Sequence, residues 1–184
     1  MQFDNQKKTF LEKLDKSKKG SIDKEINSLV KKINSLENYY TTSSCSGRIV
    51  LIAKKSWKKQ EMKWLLVSHK KVRLGEVKKA LEKISKYPVW FRFEPLILHA
   101  AARTIEDAQQ LVDKARAVGF KRSGIQSTKN KIAVEIASTE IMSTIIADKG
   151  KMLVGEDYLK KLVDEANKRL ERNKEKIKRF IMLV

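Results

Sequence analysis

The chain has 184 residues, 41% hydrophobic and 34% charged, enough for one good-sized core in a polar surface. Forty-one Lys+Arg against 22 Asp+Glu give a net charge of +19, a field that favours a polyanion such as nucleic acid. The sequence lacks the roughly 18-residue apolar run of a membrane span, and its polar start does not read as a secretory leader. One Cys and two His exclude an internal disulfide framework and argue against a structural zinc site. A cytoplasmic protein without metal or membrane attachment is expected. The charge is uneven: residues 46–86 hold thirteen Lys/Arg and three Glu, +10 of the total.

In chain order, Phe3, Phe10, Leu11 and Leu14 recur at helical spacing behind an Asp4 cap, and Lys18-Lys19-Gly20 ends that helix. Ser21 caps a second helix, whose stripe is Ile22, Ile26, Leu29, Val30, Ile33 and Leu36. "TTSSCSGR" (Thr41–Arg48) reads as a small-residue loop opening into the strand "GRIVLIA". A second strand, "MKWLLVSH", follows a basic tip. There Lys54, Lys55, Lys58 and Lys59 surround Trp57, which suits a nucleic-acid backbone with a stacked base, or a tryptophan folded back on the core. A third helix turns Val72, Val77, Leu81 and Ile84 inward. "VWFRF" alternates, Glu94-Pro95 interrupts, and "LILHAAA" continues as strand, so the proline marks a bulge, an edge or a tight corner. A fourth helix runs from about Ile105 to Val118 and stops at Gly119. "FKRSGIQS" and "KIAVEIAS" are strands, "GKMLV" is a further one, and a long amphipathic helix begins at about Glu156. These elements predict an α+β fold: one domain over residues 1–184, with a mixed, largely antiparallel sheet covered by helices. No Gly-x-Gly-x-x-Gly follows a strand and there is no Gly-x-x-x-x-Gly-Lys-[Ser/Thr], so the common dinucleotide and P-loop nucleotide sites are unsupported. Ser46-Gly47 and Ser123-Gly124, each at a strand start, would suit two weakly related halves facing one cleft.

Three segments carry side chains that a core does not need. Ser43, Ser44, Cys45, Ser46 and Gly47, followed by the planar fork of Arg48, form a plausible cradle for a charged ligand. Cys45 is read as a packing or lining residue rather than a nucleophile. Glu94, His99 and His69 end or punctuate strands, and if they converge they supply a general base with an orienting carboxylate. Ser123-Gly124 and Ser138-Thr139 repeat the small-hydroxyl pattern and point to a shared, backbone-lined site.

Taken in order, "LDKSKKGSID", "YYTTSSCSGRIVL", "WLLVSH", "FRFEPLILH", "GFKRSGI", "KIAVEIAST" and "KGKMLVGEDYLKKLVDEANKRL" resemble the tRNA wybutosine-synthesising protein 3 family over nearly the whole chain. The resemblance implies an S-adenosylmethionine-dependent enzyme with a non-Rossmann α+β fold. Its expected reaction methylates the N4 ring nitrogen of a tricyclic guanosine derivative beside the anticodon of phenylalanine tRNA. On that basis His69, His99 and Glu94 are the expected catalytic residues. Ser43, Ser44, Cys45, Ser46, Gly47, Arg48, Ser123, Gly124, Ser138 and Thr139 are expected at the cofactor. Asp15, Lys16, Ser17, Lys19, Gly20 and Ser21, with Lys54, Lys55, Trp57, Lys58 and Lys59, are expected on the tRNA anticodon stem-loop. Arg48 is expected to hold the methionine carboxylate of the cofactor or a tRNA phosphate. Ala137 stands where the family often has Arg, and "EIMSTIIADKG" replaces its usual continuation, which implies a variant binding wall. The rival reading is a non-catalytic basic RNA-binding protein, which the charge fits equally well.

Overall fold

A computed structural model describes residues 2–12, 23–55, 61–82 and 86–184. Its helices are α1 (Gln2–Glu12), α2 (Lys24–Ser35), α3 (Leu74–Leu81), α4 (Ile105–Ala117) and α5 (Glu156–Leu183). Its strands are β1 (Tyr39–Cys45), β2 (Arg48–Lys54), β3 (Met62–Ser68), β4 (Val89–Glu94), β5 (Ile97–Ala102), β6 (Gly124–Ser127), β7 (Ile132–Ala137), β8 (Met142–Asp148) and β9 (Lys151–Met152). The fold is α+β, and all the strand pairings among the described residues are antiparallel. The strands divide between two sheets, ordered β1-β5-β7-β6 and β3-β2-β4-β8-β9. The chain clusters into two compact units, Met1–Ser46 with Leu96–Thr139 and Asn173–Val184, and Gly47–Pro95 with Glu140–Arg172.

In the first unit, the period of two along the strands sends Tyr39, Leu98, Ala100, Ala102, Val134 and Ile136 to one face. Onto that face pack Ile26, Leu29, Val30 and Ile33 of α2, spaced three and four apart, and Ala108, Leu111, Val112 and Ala115 of α4. The end of α5 adds Ile177 and Phe180, the latter edge-on to Phe120 at 5.9 Å. Helix α4 starts on a capping box: Asp107 N–H donates to Thr104 Oγ1 at 3.0 Å, and Thr104 N–H donates to Asp107 Oδ2 at 3.2 Å. It stops at Gly119, whose φ of 103° only glycine adopts without strain. Asp4 lies inside α1 rather than capping it. Its carboxylate is held at about 2, well below the usual range, chiefly by the hydrogen bond from Arg103. Phe3 and Phe10 of α1 lie 5.3 and 5.2 Å from the ring of Tyr40, on the face opposite the main core.

In the second unit Ile49, Leu51 and Ala53 of β2 and Val89, Phe91 and Phe93 of β4 face one core. Val77 and Leu81 of α3 and Leu159, Leu162, Val163, Ala166 and Leu170 of α5 complete it. The loop from β8 to β9 is two residues, Lys149 and Gly150, both at positive φ, the signature of a primed hairpin turn.

Two segments differ from their expected form. Tyr39–Cys45 is a strand, not a loop; its hydroxyl residues pair with β5 as an outer strand of the first sheet. The stretch around Glu94-Pro95 is a sheet change, since β4 and β5 belong to different sheets. Proline cannot donate to a ladder, so pairing ends there. Ser21 and Ile22, expected to open α2, and Ile84 of the third helix lie outside the described residues.

Chain segments of the first unit end at Ser46 and restart at Leu96 and Asn173. One side chain joins all three. Asn173 Nδ2 donates to Ser46 O at 2.7 Å, and Leu96 N–H donates to Asn173 Oδ1 at 2.9 Å, both buried. Asp23 Oδ2 accepts from Ser46 N–H at 3.1 Å and from its hydroxyl at 3.2 Å. Asn173→Ala removes both of its buried hydrogen bonds. It is expected to cost about 2–4 kcal/mol in urea denaturation, and a loss below about 0.5 kcal/mol would show that the carboxamide is dispensable.

Candidate functional site

The face of the first sheet opposite its main core carries a polar row. Ser43, His99, Glu135 and Gly124 stand in register across β1, β5, β7 and β6. Ser43 Oγ lies 2.9 Å from His99 Nδ1, and His99 Nε2 lies 3.0 Å from Glu135 Oε2. A carboxylate only accepts, so Nε2 carries a proton, and in the neutral ring Nδ1 then accepts from the Ser43 hydroxyl. Gln126 Nε2 reaches Glu135 Oε1 at 3.5 Å. At Gly124 a Cβ would meet nothing within 4 Å, so the row ends in open space beside Glu135. Ser43 reaches this face because the ladder shifts between Thr41 and Ser43, inserting Thr42 as a bulge.

The second sheet has its own charged cluster on the face opposite its core. Arg48 Nε donates to Glu94 Oε2 at 2.8 Å, and Arg92 Nη1 lies 3.2 Å from Glu94 Oε1. The Arg48 guanidinium sits 4.7 Å from the centroid of Trp64, and Lys54 Nζ sits 4.9 Å from that of Trp90. His69, just past the end of β3, lies with Nδ1 2.8 Å from Gly47 O. A carbonyl only accepts, so Nδ1 bears the proton of that hydrogen bond.

The expected residues therefore fall in distinct surroundings. His99 joins Ser43 and takes its carboxylate from Glu135. Glu94, expected to orient a histidine, is bound instead to Arg48 and Arg92. Glu135 was not singled out in the sequence, although a lone acid inside the apolar "KIAVEIA" was its signal. Gly47 has a φ of 99° and is buried, so its lack of a side chain is a backbone requirement. Ser46 is held by Asp23 and Asn173. Ser123 is buried, its hydroxyl donating to Phe120 O at 2.7 Å and accepting from Ala137 N–H at 3.3 Å, which is turn chemistry. Ser44 and Cys45 are half-buried on β1, Ser138 is buried and Thr139 is exposed. Lys54, expected on RNA, is only 8% exposed. Burial, then the charge of Arg92, pushes its ammonium below the ordinary lysine range. Lys55 beside it is exposed. Asp15, Lys16, Ser17, Lys19, Gly20, Ser21, Trp57, Lys58 and Lys59 lie outside the described residues.

The sequence pattern of the family described as Methyltransferase TYW3 matches residues 5–184. The chain belongs to this family. It is 47% identical over 165 residues to a Pyrococcus furiosus protein, covering 89% of this chain and 84% of that one. That relative is named tRNA(Phe) 7-((3-amino-3-carboxypropyl)-4-demethylwyosine(37)-N(4))-methyltransferase 1. A Pyrococcus horikoshii protein of the same name is 46% identical over 181 residues, covering 97% of this chain and 92% of its own. A solved structure of a Pyrococcus horikoshii protein superposes with a TM-score of 0.92 at 45% identity, covering 98% of this chain and 94% of that one. A methyltransferase family implies a methyl donor. No helix among the described residues is long and apolar enough to cross a membrane.

The two site glycines are expected to behave differently. Gly47→Ala forces a side chain into the left-handed region and is expected to lose roughly 1–2 kcal/mol in thermal or urea unfolding. Gly124→Ala enters open space and is expected to stay within about 0.5 kcal/mol of the parent. Equal losses at both positions would sink this distinction between a backbone glycine and a glycine that leaves room.

Proposed function

We propose that the protein methylates the N4 ring nitrogen of a wyosine-type tricyclic guanosine derivative beside the anticodon of phenylalanine tRNA, with S-adenosylmethionine as donor. The observation that carries this reading is the identity of 46–47% to two proteins named for that reaction, over at least 89% of the chain. The net charge of +19 supports a tRNA substrate. The donor set also fits. Ser43, His99 and Glu135 present a hydroxyl, an imidazole and a carboxylate, and Gly124 leaves space beside them. These groups suit the ammonium and ribose hydroxyls of such a donor, and Ser44, Cys45 and Thr139 are assigned with them. When bound, the donor supplies an electrophilic methyl group on a sulfonium.

The protein's own part is to align the acceptor and to receive its proton. Of the two histidines, His69 is the one assigned as base. Its Nδ1 lies 2.8 Å from Gly47 O, a contact that orients the ring. Both ring nitrogens of His99 already face Ser43 and Glu135, so His99 positions the Ser43 hydroxyl and does not accept the proton. Lys55 and Lys63 are exposed cations of the second unit suited to tRNA phosphate.

The test is transfer of a labelled methyl group from S-adenosylmethionine to phenylalanine tRNA carrying the demethylated tricyclic base. Label in the base is expected, and His69→Gln is expected to lower kcat roughly a hundredfold or more. Tight tRNA binding without label transfer, and no heat of binding with S-adenosylmethionine, would leave the non-catalytic RNA-binding reading standing instead.

A further inference from the structure

Strand β4 turns Val89, Phe91 and Phe93 into the core and leaves Trp90, Arg92 and Glu94 on the opposite face. There two guanidinium groups share one carboxylate, with Arg48 at 2.8 Å and Arg92 at 3.2 Å from the two oxygens of Glu94. One carboxylate balances one cation, so the cluster keeps a positive charge. Arg92 Nε is a buried donor without a hydrogen-bond partner among the described residues. A donor left in that state costs about 1–3 kcal/mol, more when charged. A guanidinium bonded through Nη1 and unsatisfied at Nε is a binding feature more than a packing feature. Trp64, 40% exposed, carries the Arg48 guanidinium 4.7 Å from its ring centroid. An exposed aromatic ring beside an arginine fork matches a flat ring system with a pendant oxyanion.

We infer that Arg48 and Arg92 form the site for the carboxylate of an amino-acid arm on the substrate base, with Trp64 as the plate for its rings. This rests on the reading of the chain as acting on wyosine-type tRNA, since the relatives' names place a 3-amino-3-carboxypropyl group on their substrate. A donor methionine carboxylate offers the same chemistry, so the experiment must separate the two sources.

The test compares binding of two synthetic anticodon stem-loops, one with the aminocarboxypropyl arm on the demethylated base and one without it. The wild type is expected to prefer the arm-bearing stem-loop by on the order of tenfold to a hundredfold. In Arg92→Gln this ratio is expected to fall toward one, with partial rescue in Arg92→Lys. Ser143 is exposed and pairs with Arg92 across β8 and β4, so Ser143→Glu sets an internal carboxylate about 5 Å away. It should lower the same ratio while keeping both arginines, and it covers the case in which Arg92→Gln does not fold. An unchanged ratio in both variants, or a wild type indifferent to the arm, overturns the inference. So does a tenfold weaker S-adenosylmethionine affinity in Arg92→Gln with the ratio intact, which would assign the fork to the donor. Binding needs no turnover, so a wild type that methylates neither stem-loop sinks the proposed reaction and leaves the arm site to be decided by the ratio.

Discussion

The carboxamide of Asn173 is the contact on which the first unit's architecture depends. A carboxamide can donate and accept at once, and here it does both at buried backbone groups. Its partners, Ser46 and Leu96, stand where β1 ends and where β5 is about to begin. These two strands pair along their length, from Tyr39 against Ala102 to Cys45 against Ile97. The asparagine therefore closes the open end of that pair, where the ladder has run out of donors. Pro95 is the reason the ladder cannot close itself, and Asp23 holds the remaining groups of Ser46 from the other side.

Both polar arrays then follow from the period of two in a strand. Each sheet needs one apolar face for its core, and the alternate residues are left for other uses. In β4 the alternate set is Trp90, Arg92 and Glu94; in β5 and β7 it includes His99 and Glu135. The strands carry these groups on rigid, fully paired backbone, which fixes a hydroxyl-imidazole-carboxylate row more tightly than a loop could. Helix α1 contributes to the same face of the first sheet, with two phenylalanines on Tyr40 and Asp4 on Arg103.

The helices and their limits were legible because they rest on local signals. Thr104 with Asp107 and the positive φ of Gly119 bracket α4 where capping and glycine rules place them. The core stripe of α2 was readable from spacing alone. The division into two sheets was not, because pairing partners are distant in sequence and "VWFRFEPLILHAAA" reads as one interrupted strand. "YYTTSSC" hid as a loop because small hydroxyl residues look like turn chemistry, and only pairing with β5 makes them a strand. At the candidate site the pairing of side chains was not legible in the sequence. Glu94 and His99 are both charged-site residues, but the acid that meets His99 came from β7. Ser123 and Ser46 carried the expected composition, yet their polar groups are engaged by the backbone and by Asp23 and Asn173.

The bulge at Thr42 makes the hydroxyl run a matter of parity as much as of composition. Tyr40 and Ser43 are an odd number of positions apart, yet both lie on the face that carries His99, because one extra residue sits between them. Were Thr42 paired in its turn, it would stand opposite His99 and Ser43 would face the core beside Leu98. The residues of this strand could drift among Ser and Thr with little consequence for the backbone. An insertion or deletion that is not absorbed as a bulge inverts every side chain beyond the point of change. Strand parity, more than any one hydroxyl, is what puts Ser43 opposite His99.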